Sequence, residues 1–194
     1  MIKLKIIFEA METHGPWKTL KVETVHDTPW IKIDHCKVIN PGGHNGEYST
    51  IHFKNLAIGI VPLDQEGYVY LVGQYRYPLK SYSWEIPEGG GELHIEPTET
   101  AKRELREETG IEANKWEELF HTHLSNSASD EKGIVFLARE LSFFDPHPEE
   151  DEEIAIKRVK LNDFFQMVDN GEITDSLSMM AAYKLKNMQL ENKI

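Results

Sequence analysis

One well-bounded helical segment stands between two series of β-type segments, and this order restricts the fold more than any other feature of the chain. Residues 97–109 begin with a proline, which suits the first turn of a helix, and Gly110 follows where a cap glycine belongs. Segments with β patterning surround this helix at residues 2–8, 19–25, 30–39, 48–53, 56–63, 68–75, 117–124, 133–138 and 154–159. Helical patterns return at 161–168 and 175–190. The sequence therefore predicts an α+β domain.

The strand-like segments also predict how the chain is divided. Residues 56–63 form a continuous apolar run, which indicates a buried central strand, and the tight turn at 64–67 makes residues 68–75 its expected hairpin partner. The first 50 residues alternate as strands do but contain little core of their own. We therefore expect a small N-terminal β extension at 1–50, a main domain at 51–194, and a homodimer in which the extension pairs its edges with a second copy.

The charge of the chain argues against several classes of partner. The 194 residues include 21 Lys or Arg and 33 Asp or Glu, so the formal net charge is −12, and there is no long basic run. We therefore expect no nucleic-acid partner and no membrane partner. The run at 56–63 is far shorter than the ~20 residues that span a bilayer, and the single cysteine, Cys36, cannot form an internal disulfide. Together with an N-terminus unlike a signal peptide, these features predict a cytoplasmic protein.

Three carboxylates of the central helix share one direction. At about 100° per residue, Glu107 and Glu108 fall within roughly 60° on either side of Glu104, whereas Ala101 and Leu105 lie on another side, where they can face the core. Like charges crowded in this way repel each other, and a hard divalent cation with oxygen ligands would offset the repulsion. A solvated acidic helix face is the alternative interpretation. The glycines at 89–91, just before the helix, favour the cation because they allow a close backbone approach to a ligand.

The glycines and the helix together resemble the Nudix box, the signature of the Nudix hydrolase family. Gly89 and Arg103 stand at the family's separation, and residues 103–111 match the second half of the box at every specified position. One position differs from the Nudix box, because Ile95 stands where the family has its mid-box glutamate. Glutamates one residue later and three residues earlier are the alternatives for its role. The resemblance implies a Nudix-type α/β/α sandwich with a mixed sheet.

Two segments outside the box extend the resemblance. Residues 73–78 and 84–87 look like those of the ADP-ribose and nucleoside-diphosphate-sugar pyrophosphatase branch, and residues 124–131 are similar to its post-box loop. This branch implies Mg²⁺-dependent hydrolysis, with Mn²⁺ as a substitute, of ADP-ribose to AMP and ribose 5-phosphate. The alternatives are another nucleoside diphosphate derivative (GDP-mannose, ADP-glucose, a flavin or nicotinamide dinucleotide), a nucleoside triphosphate, or a non-catalytic ligand-binding regulator with the same fold.

The resemblance implies roles for the residues of the box. Glu104, Glu107 and Glu108 would bind the metal together with the main-chain carbonyl of Glu88. Arg103 would hold their carboxylates by charge-assisted hydrogen bonds. Glu107, Glu108 and Arg103 are thus also the catalytic candidates on the helix.

The general base is expected in the acidic loop at residues 148–154, because in this branch it comes from a loop before a late strand. We predict Glu152, with Glu150 and Glu153 as alternatives. A solvated acidic loop is the other interpretation, because a base must reach the attacking water.

The substrate contacts are predicted on strand ends before the box. Arg76 and Lys54 are candidates for the diphosphate, and Glu85 for a substrate hydroxyl. Trp30 or Tyr75 could stack on the base, although an aromatic ring beside a strand is more often part of the core. His121 and His123 share one face of a strand, but no third ligand stands at zinc-like spacing from them. We interpret these two and His52 as ordinary residues of polar strand faces.

Overall fold

The computed structural model of the protein describes residues 7–8, 12–146 and 153–194. The chain forms two compact units. One contains the described residues up to Asn55 together with His123–Lys132, and the other contains Leu56–Thr122 and Gly133–Ile194. No helix within the described ranges is both long enough and apolar enough to cross a membrane.

The first unit is built on an antiparallel sheet. Its strands are β1 (Ile7–Phe8), β2 (Glu12–His14), β3 (Trp17–Asp27), β4 (Ile31–Ile39) and β5 (Asn45–Phe53). The order is β1-β3-β4-β5, and β2 pairs with β3. Gly15, with a φ of 58°, makes the turn between β2 and β3. The edge strand β5 presents backbone groups to residues 128–130 of the same unit.

The second unit contains the remaining elements. They are β6 (Asn55–Pro62), β7 (Tyr68–Arg76), β8 (Ser81–Glu85), β9 (Glu88–Glu92), α1 (Pro97–Thr109), β10 (Ile111–His123), β11 (Lys132–Phe143), β12 (Ala155–Lys160), α2 (Leu161–Asp169) and α3 (Ser176–Leu190). One sheet has the order β10-β11-β6-β9, with β6 and β11 parallel, and the other has the order β12-β7-β8. The predicted α+β fold with a mixed sheet is confirmed.

The predicted hairpin between residues 56–63 and 68–75 is wrong. Both segments are strands, but β6 lies between β11 and β9, whereas β7 lies between β12 and β8. Between these two segments, Leu63 and Val69 form an isolated bridge. Because β6 is apolar on both faces, it suits the interior of a sheet, and its two edges take partners distant in sequence.

Strand β9 is not among the β segments that the sequence predicts. Its three glycines have poor β propensity, so no local pattern indicates a strand there. It becomes a strand because it pairs with β6, and it then contacts helix α1. This contact fixes the geometry of the candidate site.

Candidate active site

Helix α1 turns an acidic side away from the core. Ala101 and Leu105 are fully buried in the core, as their spacing predicted. Gly110 ends the helix in the left-handed conformation, with a φ of 69°, and its N–H donates to the Arg106 carbonyl. The helix is therefore fixed at its C-terminal end. Its three clustered glutamates range from the half-buried Glu107 to the buried Glu108.

Gly89 lets strand β9 lie directly against Glu104. A Cβ atom at Gly89 would lie 1.9 Å from Cδ and 2.1 Å from Oε1 of Glu104, so no larger residue fits there without displacing the carboxylate. The side chain of Glu104 is only 13% exposed. The glycine that begins the box is therefore required by the close approach of strand and carboxylate.

Arg103 and Glu88 hold the carboxylates of the helix. Arg103 Nη2 donates to Glu104 Oε1 and Nη1 to Glu107 Oε2, both at 2.6 Å. Partial burial by itself would lower the pKa of Arg103, but these two carboxylates raise it above its ordinary value. The Glu88 N–H donates to Oε2 of the buried Glu108 at 3.1 Å. The structure thus brings together the predicted metal-binding and catalytic residues of the helix and β9.

The side chain of Glu88 was not part of the prediction, which used only its main-chain carbonyl. Ser178 Oγ lies 3.4 Å from Glu88 Oε1, and Asp175 caps α3 by accepting the Ser178 N–H at 2.7 Å. Loss of surrounding water raises the pKa of Glu88 well above its ordinary value, and the carboxylates of Asp175 and Glu85 raise it further. The helix start at Asp175 could be predicted from sequence, but its meeting with Glu88 depends on the tertiary fold.

These residues fit a hard divalent cation. The donors are carboxylate oxygens and a backbone carbonyl, which are the ligand types that such ions prefer. Within the residues that the structure describes, no three Asp, Glu, His or Cys side chains already surround one point as a metal site would require. The guanidinium of Arg103 lies between Glu104 and Glu107 instead. Arg103 therefore neutralises part of the negative charge that a bound cation would also neutralise.

Two of the predicted substrate-binding residues form an ion pair with each other. Arg76 Nε lies 3.1 Å from both carboxylate oxygens of Glu85, and Arg76 Nη2 also donates to Glu85 Oε2. The side chain of Glu85 is 4% exposed, whereas that of Arg76 is 36% exposed. The hydrogen bonds to Glu85 raise the pKa of Arg76. Arg76 is thus held in one orientation with part of its guanidinium accessible to an anion.

We expect Arg76→Ala to lower the free energy of unfolding by about 2 kcal/mol, because Glu85 is left buried without its cation. The value is below that of a fully buried pair because Arg76 is itself partly exposed. Urea denaturation measures it. The double variant Arg76→Ala/Glu85→Gln should recover part of the loss, and Lys102→Ala, which breaks an exposed pair with Glu99, should change stability by less than about 1 kcal/mol. An equal loss in the double variant would contradict the explanation.

Two other predicted substrate residues belong to the other compact unit. Lys54 and Trp30 belong to the first unit, where Lys54 Nζ donates to Asp27 and to the Thr28 carbonyl. Trp30 is 69% exposed and Tyr75 is 61% exposed, so the alternative that these rings belong to the core is wrong.

Of the three candidates for the general base, the described residues include Glu153. Glu150 and Glu152 lie outside the described residues, and Glu153 is exposed. Glu152, with its two alternatives, therefore stays a prediction.

Known proteins are similar to this chain in sequence and in fold. A family model for the NUDIX domain matches residues 53–178. The chain is 36% identical over 179 residues to an ADP-ribose pyrophosphatase of Bacillus subtilis, covering 91% of this chain and 95% of that protein. It is 32% identical over 168 residues to an ADP-ribose pyrophosphatase of Mycobacterium tuberculosis, covering 84% and 80%. A crystal structure of an ADP compounds hydrolase has the same fold, with a TM-score of 0.83, 19% identity, and coverage of 94% of this chain and 100% of that one.

Proposed function

We propose that the chain, which belongs to the NUDIX domain family and is a pyrophosphohydrolase of that family, hydrolyses the diphosphate bond of a nucleoside diphosphate sugar. ADP-ribose is the proposed substrate, with AMP and ribose 5-phosphate as products. Two relatives named ADP-ribose pyrophosphatase, each aligned over at least 80% of both chains, support this choice. The observation that carries the proposal is the packing of Glu104 against Gly89, which sets the acidic side of α1 against β9.

We propose Mg²⁺ as the metal, with Mn²⁺ as a substitute, held by Glu104, Glu107, Glu108 and the Glu88 carbonyl. When bound, such an ion neutralises the diphosphate, polarises its phosphoryl oxygens and lowers the pKa of bound water. Arg103 orients Glu104 and Glu107 through the 2.6 Å hydrogen bonds that it donates to each. Without this metal the acidic side of α1 would repel a diphosphate.

Residues outside the helix would bind the substrate. Arg76, fixed by Glu85, can donate its remaining guanidinium hydrogens to a phosphate oxygen. Lys54 is a second proposed phosphate contact, Glu85 a proposed partner of a sugar hydroxyl, and Trp30 a proposed stacking surface for the base. Glu152 is the proposed general base that accepts a proton from the attacking water.

A substrate panel tests this proposal. Purified protein is incubated with ADP-ribose, ADP-glucose, GDP-mannose, a flavin dinucleotide, a nicotinamide dinucleotide and dGTP, and the products are identified by chromatography. We expect ADP-ribose to have the highest kcat/KM, with AMP as a product, and we expect EDTA to abolish activity and excess Mg²⁺ to restore it.

Each of the other possible results of the substrate panel supports one of the alternative functions. A preference for GDP-mannose, ADP-glucose or a dinucleotide would assign the same site to a different nucleoside diphosphate derivative, and a preference for dGTP would reject the sugar substrate. No hydrolysis with Mg²⁺ or Mn²⁺ would favour a ligand-binding regulator. Glu108→Gln, prepared identically, controls for contaminating phosphatases.

The remaining proposals concern the setting of the enzyme. We propose a homodimer formed through the N-terminal strands of residues 1–50, with residues 51–194 as the catalytic domain, a cytoplasmic location, and no nucleic-acid or membrane partner. The acidic net charge of −12 supports the absence of a nucleic-acid partner and of a membrane partner.

A further inference from the structure

His52, on the edge strand β5, lies between two carboxylates. Its Nδ1 is 2.6 Å from Asp130 Oδ2, and its Nε2 is 3.4 Å from Asp34 Oδ2. Asp34 is a buried residue of β4, whereas Asp130 is half exposed and belongs to the segment that follows β10. All three residues are in the first unit. The ring therefore joins the sheet to a segment distant in sequence.

The charge of the imidazole decides whether both contacts are favourable. A neutral imidazole has one N–H and one lone pair, whereas an imidazolium has two N–H donors. Because both ring nitrogens face carboxylate oxygens, only the imidazolium can donate to both. In the neutral ring, one carboxylate faces a lone pair.

The two carboxylates differ in how else they are held. Lys32 Nζ lies 2.7 Å from Asp34 Oδ2, and Thr24 Oγ1 donates to Asp34 Oδ1 at 2.7 Å. Asp130 has the Phe53 N–H as its other partner, at 3.0 Å. Burial alone would raise the pKa of Asp130, but the hydrogen bonds from His52 and Phe53 lower it. A neutral imidazole would keep its single N–H on Nδ1, which makes the shorter contact, because Asp34 already has Lys32 and Thr24. The hydrogen bond to Asp130 would then remain but would lose its ionic part, which weakens it.

The Asp130 side holds residues 124–131 to the edge of the sheet. The Ile51 N–H donates to the Ala128 carbonyl at 2.9 Å, and the Asp130 N–H donates to the Ile51 carbonyl at 3.2 Å. Tyr48 also donates its hydroxyl to the Ser127 carbonyl. These bonds extend the edge of β5, and the His52–Asp130 contact lies directly beside them.

We propose that His52 is a pH-sensitive latch, which fastens residues 124–131 to strand β5 when its imidazole is protonated and loosens them when it is neutral. Histidine side chains ordinarily change charge between about pH 5 and 8, which sets the range of the test. The sign follows from the charge: attachment is strongest while the imidazole is an imidazolium paired with Asp130, and it weakens as the pH rises and the proton is lost.

Amide hydrogen exchange of the whole chain, measured by NMR between pH 5.5 and 8.5 and expressed as protection factors, tests this latch. We expect the protection of the Ile51, Phe53 and Asp130 N–H groups to fall by roughly tenfold across this range. The N–H groups within the β3–β4 pairing, which do not bond to residues 124–131, should change much less.

Three variants separate the latch from other causes. His52→Asn should make protection of the three amides low and independent of pH. His35→Asn is the matched control, because His35 lies on β4 near Ser49 and Glu47 and has no described contact with residues 124–131, and it should keep the wild-type behaviour. Asp130→Asn retains the imidazole and Asp34 but removes the negative charge that faces Nδ1, and it should also abolish the pH dependence of protection at these amides.

The latch is rejected if wild-type protection does not change with pH, or if the same change persists in His52→Asn. Should circular dichroism show that His52→Asn does not fold, Asp130→Asn decides the question alone. A pH dependence in that variant equal to that of the wild type would then reject the proposal.

Discussion

Glu108→Gln should lower kcat by at least about two orders of magnitude while the protein stays folded, because the substitution removes charge from a proposed metal ligand and little else. Glu108 is 3% exposed, and one of its oxygens accepts the Glu88 N–H. Glutamine has the same shape, and its carbonyl oxygen can accept that hydrogen bond. The unfolding free energy should therefore change little, because glutamine keeps the hydrogen bond from the Glu88 N–H.

The measurement is kcat at saturating ADP-ribose and Mg²⁺, together with Tm. Glu99→Gln is the matched control, because Glu99 is on an exposed part of the same helix and pairs with Lys102 at 2.7 Å. It should keep normal activity. Near-normal kcat in Glu108→Gln would show that Glu108 does not bind an essential metal.

Gly89→Ala should lower kcat/KM by about a hundredfold, although it adds a single methyl group. The new Cβ would lie 1.9 Å from Glu104 Cδ, so either β9 or the carboxylate must move. Both lie in the proposed metal site, and a displacement of about 1 Å there is enough to disturb catalysis. Overpacking of this kind should also lower the unfolding free energy by about 1–3 kcal/mol.

Activity and Tm, measured on three proteins, separate these two effects. Gly46→Ala is the control for a strand glycine, because its Cβ would meet only Val38 Cγ2 at 3.7 Å, an ordinary contact. The double variant Gly89→Ala/Glu104→Ala removes the atoms that clash, so it should regain Tm but not activity. Full activity in Gly89→Ala would mean that Glu104 has no role in the site.

The central helix shows how far local pattern is sufficient. Pro97, Gly110 and the spacing of Ala101 and Leu105 predicted its bounds and its buried side, and the structure confirms both. Each of these signals acts within a turn or two of the helix, through a missing N–H, a left-handed backbone or contact with the core. The common direction of its glutamates follows from the same helical geometry.

The strands show where local pattern fails. The segment that becomes β6 was recognised by its apolar run, but its partner was predicted wrongly, because pairing depends on segments far along the chain. β9 was not recognised at all, because its glycines form a strand only when β6 is beside them. Strand propensity is weak compared with such context.

The sequence also did not predict the side-chain contacts around the site. Arg76 and Glu85 were each selected as substrate residues, but nothing in the sequence showed that they pair with each other. Glu88 was selected for its carbonyl, and the meeting of its side chain with Ser178 and Asp175 was not foreseen. His52 was interpreted as an ordinary polar-face residue, whereas the structure places it between two carboxylates.

The acidic helix, the glycines before it and the family resemblance follow from local pattern, because spacing along one helix or turn fixes which side chains lie together. The contacts of Gly89 with Glu104, of Arg76 with Glu85, and of His52 with Asp34 and Asp130 appear only in the folded chain. These pairings bring together residues from different elements, and their burial and charge depend on chain segments whose separation no local pattern encodes.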